Sequence, residues 1–277
     1  MFATNYYTLV AGLREYALDA DTKGFDAQAI VAEILETLTA RDAKQVRLLD
    51  AYYDCENLAA LRAGRSSFSP LGNFAREELA EELKHPTRLP EELARVVRAY
   101  DDPEGEEAET VDTARSFEKS LFAAYYDLCE RKGCRFLREW SLFDRNLRNL
   151  TAAVTARSAG RPVEEVIVGG GDVAEQLQRS SAADFGLRGE LGYIDAVIAA
   201  LGDEQNLVEK ERRLDLIRWN EALDLATFDY FDIDAVLSYV VRVNIVARWT
   251  RLDPARGREM FARLLSELDG KELIEKR

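Results

Sequence analysis

Apolar residues at Phe136, Trp140, Phe143, Leu147, Leu150 and Val154 recur in alternating steps of four and three. That spacing lines one face of an α-helix and breaks the two-residue period of a strand. The stretch before it carries the same pattern in Phe117, Leu121, Tyr125 and Leu128, and Lys132-Gly133 predicts a break between two successive helices. Earlier, Ile30, Ile34 and Leu38 line one face, Thr39 with Asp42 supplies a helix-start cap, and Val46, Leu49 and Tyr53 begin the next stripe. Tyr239 to Trp249 is ambiguous. Val241, Val243 and Ile245 alternate with Arg242 and Asn244 as in a strand, but Ile233, Val236, Val240, Val243 and Ala247 fit the helical period and no turn interrupts the run. The expectation is an all-α fold.

Breaks fall at Ser66-Ser67-Phe68-Ser69-Pro70, His85-Pro86, Leu89-Pro90, Ser158 to Pro162 and Gly169-Gly170-Gly171. Asp101 to Glu109 holds no positive charge and contains Pro103 and Gly105, which predicts a solvated acidic linker entering a helix near Thr110. With a second boundary near Gly202-Asp203, the chain divides into helical modules over residues 1–108, 109–202 and 203–277.

Charge narrows the partners. The 277 residues carry 37 Lys+Arg against 51 Asp+Glu, a formal charge of −14, which disfavours nucleic acid and bare anionic membrane. Every helix-length apolar window contains charges, so direct membrane insertion is not expected. Met1 to Gly12 lacks the pattern of an export signal, and Cys55, Cys129 and Cys134 form an odd set without CxxC spacing. Free thiols in a cytoplasmic protein are expected.

A small constellation recurs three times: an Asn followed by Leu or Ile, then a Gly-containing loop, then an amphipathic helix. Asn57-Leu58 leads to Gly72 and on to Phe74, Leu79 and Leu83. Asn149-Leu150 leads to Gly169-Gly170-Gly171 and on to Val173 and Leu177. Asn244-Ile245 leads to Gly257 and on to Phe261, Leu264 and Leu265. The three Asn lie 92 and 95 residues apart. A buried amide must find partners, so each Asn is expected to tie its helix to the neighbouring loop backbone.

Three stretches resemble the C-type subunit of V/A-type (vacuolar-type) rotary ATPases, the counterpart of the d-type subunit in the eukaryotic enzyme, in a divergent bacterial form. They are Asn5 to Leu13; Phe143-Asp144-Arg145-Asn146-Leu147-Arg148-Asn149-Leu150 with Val166 to Gly171; and Ala235 to Tyr239 with Asn244-Ile245. The resemblance implies three homologous helical modules arranged as a funnel. It also implies a non-catalytic socket between the rotor axle subunits and the membrane rotor ring, peripheral to the inner membrane. The family often has an acidic residue three positions before the repeated Asn. Asp54 fills that place in the first echo, whereas Asn146 and Val241 occupy it in the second and third, and the chain is shorter than the usual member.

Two other classes remain open: a generic helical adaptor and a metal-dependent helical-bundle enzyme. Di-iron bundles need paired Glu-x-x-His motifs, and the single histidine, His85, precedes Pro86. The same lack bars a Ser-His-Asp triad, and no G-x-S-x-G elbow occurs. Asp101-Asp102-Pro103-Glu104 cannot hold its carboxylates on one rigid face as a Mg²⁺ motif requires. Gly169-Gly170-Gly171 lacks the Gly-Lys-Ser/Thr of a phosphate loop, and Asp172 after it suits a helix cap. No catalytic, metal or cofactor residue is therefore expected.

Overall fold

The computed structural model describes residues 4–17, 24–202 and 207–251. Among them the chain is all-helical, with eleven α-helices and no strand. These are α1 Tyr7–Gly12, α2 Ala27–Thr37, α3 Ala40–Arg62, α4 Arg76–Glu82, α5 Glu91–Asp101, α6 Phe117–Lys132, α7 Arg135–Ser158, α8 Asp172–Arg179, α9 Ile194–Gly202, α10 Leu207–Leu225 and α11 Ile233–Arg251. None is long and apolar enough to cross a membrane.

Local chemistry sets the ends. Thr39 caps α3, its hydroxyl accepting from the Asp42 backbone N–H, and the Tyr6 hydroxyl donates to the Asp42 carboxylate at 2.5 Å. Gly133 separates α6 from α7: a Cβ there would stand 2.4 Å from the Cys129 carbonyl. That close approach admits only glycine, so the expected break is steric in origin.

The acidic stretch departs from expectation. The α6 helix starts at Phe117, capped by Ser116, and not near Thr110, which closes a short 3-10 turn over Glu106–Glu109. Nor is the segment merely solvated. Arg98 pairs with Glu107 at 2.7 Å and Arg62 with Asp101 at 2.9 Å, so cations from flanking helices supply the charge the segment lacks. Asp172 is also corrected. It is the first residue of α8, behind the N-cap Gly171, and its side chain makes no cap hydrogen bond. Its carboxylate meets the helix dipole only.

The core runs along α6 and α7, where Phe122, Tyr125, Tyr126, Phe136, Leu137 and Leu147 are fully buried. Against this pair pack α3, α5, α9, α10 and α11, and α11 in turn contacts α2 and α3. Distant parts of the chain meet: the Tyr6 N–H bonds the Phe231 carbonyl, and the Tyr239 hydroxyl bonds the Arg14 carbonyl. Burial also explains the mixed pattern at 239–249. Val240, Val241, Val243, Ile245 and Val246 are all buried because α11 is enclosed on several sides, and an enclosed helix needs no single apolar stripe. The cysteines are free, with Cys55 and Cys129 buried.

Candidate functional site: a charged central cavity

Helices from the beginning, middle and end of the described chain surround a cavity of about 790 Å³. Tyr52, Tyr53, Glu56 and Asn57 of α3 face it, as do Trp140, Asp144 and Thr151 of α7. Opposite stand Glu211, Asp215 and Arg218 of α10 with Asn244, Arg248 and Arg251 of α11.

Its far wall is an ion-pair relay. Asp215, almost wholly buried, accepts from Arg218 at 3.0 Å, from Arg248 at 2.7 Å and from the Trp249 indole at 2.8 Å. Arg248 also holds Glu211, and Arg218 lies 3.6 Å from Asp144, which accepts from the Tyr126 hydroxyl at 2.7 Å. One continuous network thus links α6, α7, α10 and α11. A buried carboxylate with several charge-assisted donors is satisfied, and removing one partner would strand the rest. Nearby, Arg148 stacks 3.8 Å over the Phe122 ring and pairs with Glu118 at 2.9 Å.

The α3 wall is different. Glu56 has no ion pair among the described residues; its side chain is exposed and lines the cavity. The protein crowded around it raises its carboxyl above the usual range, partial desolvation being the main cause, with Arg148 opposing. Burial likewise pushes the Tyr52 and Tyr53 hydroxyls well up, so both stay protonated donors.

Two of the three echoed asparagines are built alike. Asn57 donates its amide to the Ser69 carbonyl at 2.8 Å and accepts from the Ser69 N–H at 2.7 Å. Asn149 donates to the Val168 carbonyl and accepts from the Val168 N–H, both at 2.9 Å. In each case one side chain satisfies both polar groups of a loop residue. The third is unlike them. Among the described residues Asn244 donates to Asp50 at 3.2 Å, joining α11 to α3, and Gly257 with Phe261, Leu264 and Leu265 lies outside those residues.

Asp54 and Asp144 also serve different ends. Asp54 accepts from the Asn73 N–H, the Asn73 amide and the Phe74 N–H, clasping the loop after α3. Gly72 is required there, since a Cβ would stand 2.3 Å from the Asp54 carboxylate. In the second echo the Arg145 side chain lies against Gly169 and Gly171, both at positive φ, while Gly170 faces open space. Asp144 meets no loop and belongs to the cavity. Of the residues singled out by sequence, Asn57, Asn244 and Asp144 line the cavity, while Asn149, Gly170 and Gly171 do not.

Burial raises two further α3 carboxyls. Asp50 is pushed up to about 8, with the Asn244 hydrogen bond opposing and Asp54 adding to the rise; Asp54 is pushed up to about 6 against its three hydrogen bonds. Elsewhere Asp229, Asp232 and Asp234 bring carboxylates within 4.8 Å of one another. Arg135 already pairs with Asp229 and Asp234, and Asp232 accepts from the first N–H groups of α11, so the cluster is accounted for without a metal.

Sequence reasoning missed the Asp215 relay and the Tyr52, Tyr53 and Glu56 wall. Only the i,i+3 pair Asp215 and Arg218 was locally legible. Arg248 joins it from 33 residues away.

Fold and site together define a class: an all-helical protein whose long helices enclose a central cavity walled by charged and tyrosine side chains. Within that class, the chain belongs to the family described as a protein of unknown function (DUF2764), whose model matches residues 3–271. No curated protein matches it in sequence.

Proposed function

We propose that this chain is a non-catalytic central-stalk socket of a V/A-type rotary ATPase, coupling the axle to the membrane rotor ring. The observation that carries it is the cavity walled by α3, α7, α10 and α11, because a socket needs an opening made jointly by distant parts of one stiff body. A helix of about 10–12 Å diameter and 5.4 Å pitch occupies roughly 420–610 Å³ per turn. In volume the cavity therefore matches between about one and two helical turns, the scale of a partner's tip and not of a long shaft. The unpaired Glu56, one turn along α3 from Tyr52 and Tyr53, suits a Lys or Arg on that tip. The matching Asn57 and Asn149 pins support a relation between the first two modules, 1–108 and 109–202; a third module over 203–277 and the funnel arrangement are part of the proposal. A cytoplasmic place, peripheral to the inner membrane through the complex, follows from the same proposal.

The test is co-purification. Tagged chain expressed in its own host should bring down the axle subunits and the rotor ring, and Glu56→Arg should lose the axle. A chain that stays monomeric when mixed with both would end the proposal.

A further inference from the structure

Away from the cavity, the loop between α10 and α11 turns aromatic rings outward. Phe228 is 87% exposed and Tyr230 66%, and beside them Tyr7 of α1 packs on Phe231 at a ring separation of 4.5 Å. Leu223 extends the patch along α10. Exposed aromatics gathered in one place are costly to leave in water and are the residue types that dominate binding surfaces.

The rim is mainly acidic. Glu221, Asp224, Asp229, Asp232 and Asp234 come from the same loop and its flanking helices, and Glu139 projects from α7. Arg135 is committed to Glu139, Asp229 and Asp234, while Glu221, Asp224 and Asp232 have no cation paired with them among the described residues. Mutual repulsion is visible in the rim itself: Glu221 is raised by burial first and then by Asp224 and Glu139.

We propose that Tyr7, Phe228, Tyr230 and Phe231 form the docking surface for a cationic amphipathic segment of another protein, its apolar face on the rings and its Lys or Arg side chains on Asp224 and Asp232. Charge selects this occupant over the others. A second copy of a chain carrying −14 would bring the same acidic rim against this one, and an anionic bilayer would be repelled. The surface is separate from the cavity and does not depend on the socket reading.

The probe is a fluorescently labelled amphipathic Leu/Lys helical peptide, with its Leu/Glu counterpart as control, read by anisotropy on the full chain. The Leu/Lys peptide should bind, more weakly as salt rises, and should lose ~10-fold or more in affinity on Phe228→Ser with Tyr230→Ser, as expected for hot-spot aromatics. Those two side chains are exposed, so folding is preserved; Asp224→Asn is the independent second variant and should also weaken binding. Equal binding of Leu/Lys peptide to wild type and to both variants would overturn the proposal. So would equal binding of the Leu/Glu peptide, Phe228-dependent dimerisation in light scattering, or Phe228-dependent binding to phosphatidylglycerol vesicles.

Discussion

Replacing Asn149 by alanine tests the pin on which the echo rests. The side chain is 1% exposed, and Val168, whose N–H and carbonyl it satisfies, is 3% exposed. Truncation leaves both backbone groups buried and unpartnered, and the alanine methyl can replace neither bond. At about 1–3 kcal/mol for each of the two stranded groups, the cost is ~2–6 kcal/mol. Against a typical total of about 5–15 kcal/mol that is a large fraction, corresponding to a fall of roughly 4–12 °C in Tm for a chain of this size. Asn57→Ala provides the internal comparison. Its bonds to Ser69 have the same geometry, but Ser69 is only half-buried, so water can replace the lost side chain and the cost drops to about 1 kcal/mol. Urea unfolding followed by circular dichroism measures both. Asn149→Ala unchanged from wild type, or less destabilised than Asn57→Ala, would refute the reasoning that burial of the loop residue sets the value of each pin.

Asp50 makes a pH-dependent prediction. Its folded-state carboxyl sits near 8 against an ordinary 3.8, so the folded protein binds that proton more tightly, and the stability this contributes is complete below about pH 4 and lost as pH rises towards 8. Asp50→Asn cannot ionise, so its stability relative to wild type should grow by at least ~1.4 kcal/mol across that window; parallel curves would refute the assignment. Gly72→Ala should destabilise by ~2 kcal/mol or more, because its methyl meets the Asp54 carboxylate and backbone, whereas Gly170→Ala, facing open space, should stay within about ±0.5 kcal/mol. Thermal melts of the pair check this, and equal effects would show that the two glycines play one role.

How much could be read in advance depends on distance along the chain. The stripe from Phe136 to Val154, the Thr39 cap and the break at Gly133 are local, since each is decided by residues within one or two helical turns, and sequence alone determined them. The bonding of Asn57 and Asn149 was legible too, because each reaches a loop only 12 and 19 residues further on. Asp54 and Asp144 both lie within a helical turn or two of an echoed Asn, yet Asp54 clasps the loop after its own helix and Asp144 answers to Arg218 of α10. The cavity, the Asp215 relay and the Asp50 to Asn244 joint across 194 residues belong to the tertiary structure alone. Periodicity says which face of a helix turns inward but not which other face it meets, and a carboxylate's partner and proton affinity are fixed by that meeting.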